Sequence, residues 1–401
     1  MMLAQKTKYD FDNLINRTNT GSYKWEQMKG WNPNVSKEVI PFSVADMELK
    51  NPPEIIEGLK SYLDDLVLGY TIPTKGFTDA VCGWMEKRHN WQIEPEWIVS
   101  TPGVVYAFYT AIKAFSEPGD GIIINPPVYY PFYSGIELND RKVVKSPLVQ
   151  DGMTYTIDYD DLEKKAADPN NKVLLFCSPH NPVGRVWKKE ELEKVADICL
   201  RNNVLIISDE IHNDLIMPGY EHTLFATISD DVANNLIVCT APSKTFNLAG
   251  MQLSNIIIPN KEIRERFVKE NEKNGVNTLN ILGYKACEIA YTQCEGWLDQ
   301  LIQLIYENHN ILKEYMSENL PQIKVYDIEG TYLQWFDFRA LGLDKDELET
   351  FLHTEAEVFF DEGYVFGDEG NGFERMNLAC PTETMLQGLE QLKVAINNRG
   401  L

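Results

Sequence analysis

A lysine stands directly after a short apolar run and is a candidate nucleophile. Lys244 lies in the sequence TAPSKTFNLAG at residues 240–250, which follows the strand-like run at residues 236–239. Burial at the end of a strand disfavours a charged amine and lowers its pKa, and a free amine can form a Schiff base. Taken alone, the pattern is more typical of a solvated loop lysine. The neighbouring motifs therefore decide its interpretation.

Two further apolar runs end in polar side chains. Residues 203–208 read as a buried parallel strand followed by Asp209, and residues 173–177 read as another that leads into Asn181. Ligands of open α/β sheets bind outside the carboxyl ends of the strands. Asp209 could pair with a protonated ring nitrogen there, or it could cap a helix. Asn181 is held in a turn by two prolines and a glycine, which is also compatible with an ordinary loop.

These segments together resemble the fold-type-I, pyridoxal-phosphate-dependent aminotransferase superfamily. The three motifs are NPxG at 181–184, DExH at 209–212 and SKTFNxAG at 243–250. Within the superfamily the chain looks most like the MalY/PatB branch of C–S lyases, which includes cystathionine β-lyases and cystalysin. The branch markers are VADM at 44–47, GYT at 69–71, TPGVV at 101–105, SPHNPVGR at 178–185, SDEIH at 208–212 and APSKTFN at 241–247.

The resemblance extends from about residue 8 to about residue 398 and implies an α/β fold. It predicts a large domain with a mostly parallel seven-stranded sheet between helices, plus a smaller α+β domain. Strand-like runs that alternate with helical patterns between about residues 54 and 285 independently favour βαβ units. The expected division is an N-terminal segment at 1–53 that packs with the small domain, a cofactor-binding domain at 54–290 and a small domain at 291–401.

The resemblance also implies a set of residues that bind pyridoxal phosphate. Lys244 is expected to form the Schiff base and then to take the Cα proton of the substrate, and His212 is either a cofactor contact or a structural histidine. Asp209 is expected to contact the pyridine nitrogen, Asn181 the phenolic oxygen and Tyr129 the ring face. The residues expected to bind the phosphate are Gly103, Val104, Val105 and Ser243. The glycine precedes an apolar helix pattern, whose free N–H groups suit phosphate.

One departure from the family pattern and the substrate side complete the expected site. Many superfamily members carry an arginine eight residues after the lysine, where this chain has Gln252. Arg375 matches the arginine that grips the α-carboxylate of the substrate, with backbone groups near Ala45 completing the clamp and Tyr130 lining the substrate side. Tyr70 matches a catalytic tyrosine that reaches the active site of the neighbouring subunit, so a homodimer is expected.

The predicted activity is α,β-elimination from L-cystathionine or an L-cysteine-type amino acid, which yields a thiol, pyruvate and ammonia. The enzyme would be of the cystathionine β-lyase or cysteine desulfhydrase type. Transamination uses the same residues up to the carbanion, so a pyridoxal-phosphate-dependent aminotransferase is the alternative. A lesser alternative is a regulatory protein that binds a transcription factor, as some members of the branch do.

Composition restricts the partners. The chain has 401 residues with a formal net charge of −23, which disfavours nucleic acid and anionic membrane surfaces. Seven scattered cysteines without CxxC spacing, and six histidines without ligand spacing, suggest neither a disulfide framework nor a metal. No apolar run is long enough for a leader or a membrane span. We therefore expect a cytoplasmic enzyme.

Overall fold

The computed structural model describes residues 9–401. Its thirteen strands are β1 (Ile98–Thr101), β2 (Gly121–Ile124), β3 (Lys142–Lys145), β4 (Val149–Asp151), β5 (Thr154–Thr156), β6 (Asn171–Cys177), β7 (Leu205–Asp209), β8 (Leu236–Thr240), β9 (Ser254–Ile257), β10 (Lys324–Val325), β11 (Leu333–Asp337), β12 (Asp361–Glu362) and β13 (Phe373–Asn377). The helices within these residues are α1 (Tyr23–Trp31), α2 (Pro53–Asp64), α3 (Lys75–His89), α4 (Val104–Phe115), α5 (Pro131–Glu137), α6 (Tyr159–Ala166), α7 (Lys189–Arg201), α8 (Asp230–Ala233), α9 (Pro242–Thr245), α10 (Lys261–Lys273), α11 (Ile281–Gln293), α12 (Glu295–Asn319), α13 (Lys345–Thr350) and α14 (Thr382–Arg399).

The main sheet has seven strands in the order β1-β9-β8-β7-β6-β2-β3. The five strands from β8 to β3 are parallel to one another, whereas β9 runs antiparallel to both β8 and β1. The predicted mostly parallel seven-stranded sheet is therefore confirmed. The antiparallel direction of β9 was not predicted, because apolar runs of this length do not reveal their direction.

Both faces of the main sheet are covered. Successive residues of β6 enter different apolar clusters: Leu174 and Phe176 belong to one, and Val173 and Leu175 to the other. The cluster with Leu174 and Phe176 includes α6 and α7, and the cluster with Val173 and Leu175 includes α4, α5 and α10. This two-residue alternation in uniformly apolar strands is the pattern of a sheet sandwiched between helices.

A second sheet of four antiparallel strands, in the order β10-β11-β13-β12, lies towards the end of the chain. The sequence reads as an alternating strand at residues 332–338 and as a long amphipathic helix at residues 298–320, and these correspond to β11 and α12. The N-terminal segment contacts this sheet, since the Phe42 amide donates to Phe359 and the Asn377 amide to Phe42. The exact domain boundaries stay a prediction. Within residues 9–401, no helix is long and apolar enough to cross a membrane.

Candidate active site

A cavity of about 280 Å³ lies where the parallel strands of the main sheet end. Strand register explains its position, because Asp209 at the end of β7 pairs with Cys177 of β6 and Cys239 of β8. Ten of the residues predicted for the site line this cavity: Ala45, Gly103, Val104, Val105, Tyr129, Asn181, Asp209, His212, Ser243 and Lys244. They come from segments as far apart as 45 and 244 in the sequence, so the fold brings them together.

Lys244 lies in the single turn of α9, just after β8. Its Nζ donates a hydrogen bond of 2.7 Å to the backbone oxygen of Ala45, which also accepts a 2.9 Å bond from the Tyr332 hydroxyl. Loss of water around Nζ lowers the pKa of Lys244 to about 8, although the carboxylate of Asp46 opposes the shift. Near neutral pH a useful fraction of this amine is therefore uncharged and nucleophilic.

Asp209 is 3 % exposed at the end of β7. Burial raises its pKa to about 7, and the amide of Ile211, 3.2 Å from Oδ1, partly offsets that effect. A carboxylate in this environment gains from a cationic partner. A protonated ring nitrogen in the cavity would be such a partner.

Asn181 and Arg375 are joined directly. The Arg375 Nη1 donates to Asn181 Oδ1 at 2.7 Å, and its Nη2 donates to Asp361 Oδ2 at 2.5 Å. Arg375 is 1 % exposed, its guanidinium lies 4.7 Å from the ring centre of Phe366, and its Nε has no hydrogen-bond partner. Arg375 is not among the residues lining the cavity, but Asn181 connects it to that space.

The N-terminus of α4 opens onto the cavity. Gly103 caps this helix with φ +121° and ψ 157°, a conformation that L side chains rarely adopt, and the space beside its Cα is open. The first backbone N–H groups of a helix have no partner inside it, so they can bind a phosphate there. Ser243 and Gln252 line the same cavity, so the position that carries arginine in many relatives presents a neutral amide here.

Three side chains around the cavity have aromatic surroundings. Tyr129 lines the cavity, and its ring centre lies 5.3 Å from that of Tyr130. Tyr130 is 39 % exposed and does not line the cavity. His212 meets the ring of Tyr332 edge-on at 5.7 Å, and its buried Nδ1 lacks a hydrogen-bond partner. Burial, followed by the positive charges of Lys244 and Arg375, keeps the pKa of His212 well below its usual value. This histidine is therefore neutral.

Tyr70 lies apart from the cavity in the single chain. It is 99 % exposed, and its apolar neighbours Val67, Leu68 and Ile72 are 84 %, 72 % and 75 % exposed. An exposed apolar segment of this size is typical of a protein interface. The role predicted for Tyr70 requires a second chain, so it stays a prediction.

Sequence reasoning gave no role to several residues that hold the site in place, although Val44 and Asp46 belong to the marker VADM at 44–47. Val44 has φ +57°, which is strained for a β-branched residue. The backbone amide of Val44 donates to the carboxylate of Asp361, and the side-chain amide of Asn377 donates to the backbone oxygen of Val44, both at 2.9 Å. The carboxylate of Asp46 pairs with Arg17 at 2.6 Å. Tyr332 was visible only as part of a strand pattern, and Asp361 has no local signal in the sequence.

The residues around the cavity fit pyridoxal phosphate. The site offers an amine with a lowered pKa, a buried carboxyl group, an aromatic ring and a helix N-terminus behind a glycine. Two buried polar groups also point to a missing partner: Asn181 uses only its oxygen, and Nδ1 of His212 is unpaired. The individual roles remain predictions.

Comparisons with known proteins agree with this geometry. The family model for class I and II aminotransferases matches residues 37–392. The chain is 42 % identical to cystathionine beta-lyase PatB of Bacillus subtilis over 388 residues, which is 97 % of the chain and all of the relative. It is 31 % identical to protein MalY of Escherichia coli over 97 % of the chain and 99 % of that protein. The crystal structure of cystalysin from Treponema denticola, which contains pyridoxal 5'-phosphate, superposes with a TM-score of 0.96 at 54 % identity, covering 97 % of this chain and 99 % of that one.

Proposed function

The chain belongs to the class I and II aminotransferase family, and within it we propose that it acts as a pyridoxal-phosphate-dependent C–S lyase. Its substrates are L-cystathionine or related L-cysteine derivatives, and its products are a thiol, pyruvate and ammonia. The observation that carries the proposal is the lowered pKa of Lys244, about 8, in a cavity shared with Asp209, Asn181 and the N-terminus of α4. The choice of elimination over amino transfer follows the relatives named cystathionine beta-lyase.

The residues that hold the cofactor are those that surround the cavity. Asp209 pairs with the ring nitrogen, Asn181 donates its free amide N–H to the phenolic oxygen, and Tyr129 packs against the ring. Gly103, Val104, Val105 and Ser243 bind the phosphate through backbone and hydroxyl groups. When bound, pyridoxal phosphate supplies an electron sink that stabilises negative charge at the Cα of the amino acid.

Lys244 has two tasks. Its uncharged Nζ would hold the cofactor covalently in the resting enzyme, and during turnover the same nitrogen would act as the base that takes the Cα proton. The backbone oxygen of Ala45 lies 2.7 Å from Nζ and orients it. A nearby acceptor of this kind keeps the base in position between the two steps.

Arg375 binds the α-carboxylate of the substrate. Its unpartnered Nε and the remaining N–H groups of its terminal nitrogens can donate in parallel to two carboxylate oxygens. Ala45 and Tyr130 border the same region. Fixing the carboxylate orients the Cα–H bond towards Lys244, so the arginine contributes to positioning as well as to affinity.

The thiolate then leaves from Cβ, and either Lys244 or Tyr70 of a second chain protonates it. The 2-aminoacrylate that remains hydrolyses to pyruvate and ammonia. We propose that the enzyme is a homodimer whose exposed segment around Tyr70 completes the site of the partner subunit. The exposed apolar side chains of that segment support this assembly.

We also propose a cytoplasmic location, which the seven unpaired cysteines support because oxidising compartments favour disulfides. The division into segments 1–53, 54–290 and 291–401 is kept as a proposal. It places the main sheet in the middle segment and the four-stranded sheet in the last.

The decisive experiment supplies L-cystathionine to the purified enzyme without any keto acid and measures pyruvate. Pyruvate release that disappears in Lys244→Ala, and persists in the exposed-lysine control Lys261→Ala, is the expected result. Turnover that requires a keto acid and converts the cofactor to its amine form would instead make the protein an aminotransferase.

A further inference from the structure

Two glutamates and a histidine lie together outside the active site. Glu349 of α13, His353 of the π-helical turn Phe351–Glu355 and Glu362 of β12 each place a potential ligand atom within 4.8 Å of the others. Among residues 9–401 this is the one group of three such side chains with that spacing. Glu349 and His353 are four residues apart in a helical stretch, so they lie on one face. Nothing in the proposed elimination uses them.

The histidine ring is held in a fixed orientation. The ring of His353 stacks on Trp31 at 4.7 Å and 13° and on Phe359 at 5.1 Å and 17°. Its Nε2 lies 3.2 Å from Oε1 of Glu362. A ring stacked against two nearly parallel aromatic rings loses little freedom on binding a ligand, so its nitrogen is preorganised towards the carboxylates.

The cluster contains buried carboxylate oxygens that are not satisfied. Glu362 is 8 % exposed, and its Oε1 faces Nε2 of His353 at 3.2 Å without forming a hydrogen bond. Glu374 is 2 % exposed, and its Oε2 has no hydrogen-bond partner. The two residues are direct cross-strand neighbours in the β12–β13 ladder. Like charges in that arrangement repel.

We propose that Glu349, His353 and Glu362 bind a divalent transition-metal ion such as Mn²⁺ or Zn²⁺. One imidazole nitrogen and two carboxylates form a mixed N/O donor set that suits these ions. The positive charge offsets the repulsion between the buried carboxylates, and Glu374 lies beside the ion as a further acceptor. Glu349 is only half-buried and also accepts from Tyr364 at 2.8 Å, so it forms the entrance to the site.

The position of this site connects it to the substrate arginine. In the same ladder Glu362 pairs with Glu374, and Asp361 pairs with Arg375. Successive side chains of a strand point to opposite faces. The ion therefore binds behind the strand pair whose front carries the Asp361–Arg375 ion pair. Its binding stiffens the ladder that holds Arg375.

The test uses holoenzyme freed of metal with a chelator and then titrated with Mn²⁺, with bound ion measured by electron paramagnetic resonance. Manganese is chosen because it avoids the thiolates that would bind zinc elsewhere. We expect one saturable Mn²⁺ per chain. Glu362→Gln and Glu349→Gln should each weaken it by at least about tenfold, whereas Glu355→Gln, a partly exposed neighbour paired with Arg399, should bind as the wild type does.

Thermal unfolding provides a second readout that does not depend on activity. Mn²⁺ or Zn²⁺ should raise the melting temperature of the wild type and of Glu355→Gln, and should leave that of Glu362→Gln unchanged. No saturable Mn²⁺ or Zn²⁺ binding to the wild type, or binding that both ligand variants retain, would overturn the proposal.

Discussion

Nη1 of Arg375 donates to the side-chain oxygen of Asn181 at 2.7 Å, which links the two predicted binding functions of the site. The bond leaves the amide nitrogen of Asn181 as its free donor towards the cavity, as a phenolic oxygen requires. The opposite side of the guanidinium is held by Asp361 at 2.5 Å. The arginine is therefore oriented before a substrate arrives, and only Nε and the remaining N–H groups are free for a carboxylate.

Replacing Arg375 by lysine tests this preorganisation. A lysine keeps the charge but cannot span Asn181 and Asp361 while donating two parallel bonds. We expect Arg375→Lys to raise KM for L-cystathionine by about 10- to 100-fold, as loss of a charge-assisted hydrogen bond implies. Steady-state kinetics measures the effect. The control Arg339→Lys, which alters an arginine paired with Asp337 at 2.7 Å, should leave KM unchanged.

The pKa of Lys244 predicts how cofactor capture depends on pH. The uncharged amine is the reactive form, so the rate of covalent capture by cofactor-free protein should rise about tenfold per pH unit below pH 8 and level off above it. Stopped-flow absorbance measures the rate. Asp46 favours the charged amine, so Asp46→Asn should move the inflection below 8. An inflection that stays in place or rises would contradict this electrostatic account.

Asp209 is expected to cost stability in the absence of the cofactor. Its pKa is raised to about 7, so its unfavourable effect is absent below the unfolded pKa near 4, grows as the pH rises through 7 and is complete above it. Cofactor-free Asp209→Asn should therefore be about 1 to 4 kcal/mol more stable than the wild type at pH 8. Urea unfolding should show the gain shrinking towards pH 5; a constant gain would point to another cause.

The same variant should lose activity once the cofactor is supplied. An amide cannot hold a proton on the ring nitrogen as a carboxylate does, so turnover of L-cystathionine should fall by at least about a hundredfold. Higher stability combined with lower activity would separate the electrostatic role of Asp209 from a packing role. Asp209→Asn with unaltered turnover would exclude it as the partner of the ring nitrogen.

Active-site sharing predicts complementation between two inactive variants. If Tyr70 serves the partner subunit, Tyr70→Phe and Lys244→Ala chains mixed equally form hybrid dimers with one intact site. Random pairing should then restore about one quarter of the wild-type activity. Pyruvate release from co-expressed chains measures it. A mixture no more active than its parents would refute the shared site, and the exposed control Tyr220→Phe should be fully active alone.

The sequence predicts the part of the site that follows continuous apolar runs. Asp209 follows its run directly, and Asn181 and Lys244 stand within five residues of the end of theirs. Parallel strands bring their carboxyl ends to one edge, so these residues line one cavity. Gly103 was recognisable because it stands just before the apolar helix pattern of α4, and the structure gives it a backbone conformation that L side chains rarely adopt. In these cases the residues next to the site residue in the sequence mark it, and the pairing of the strands in the sheet brings the site residues together.

The remaining contacts depend on distant parts of the chain. Asp361 lies in a strand of two residues and bonds to Val44, which is 317 positions away. Neither periodicity nor composition marks such a pair. The group of Glu349, His353 and Glu362 is hidden for the same reason: helical spacing relates two of its members, but the third joins only through the fold of the second sheet.

The strained turn at Val44 has a consequence for the order in which the protein is made. The oxygens of Val44 and Asp46 both accept from Asn377, 333 and 331 positions later, and Ala45 accepts from Lys244. Residues translated first therefore obtain their partners only when translation is almost finished. The main sheet, complete by Ile257, can form on the ribosome well before Lys244 has its acceptor fixed. The geometry around Nζ of Lys244 is consequently completed only after Asn377 has been translated.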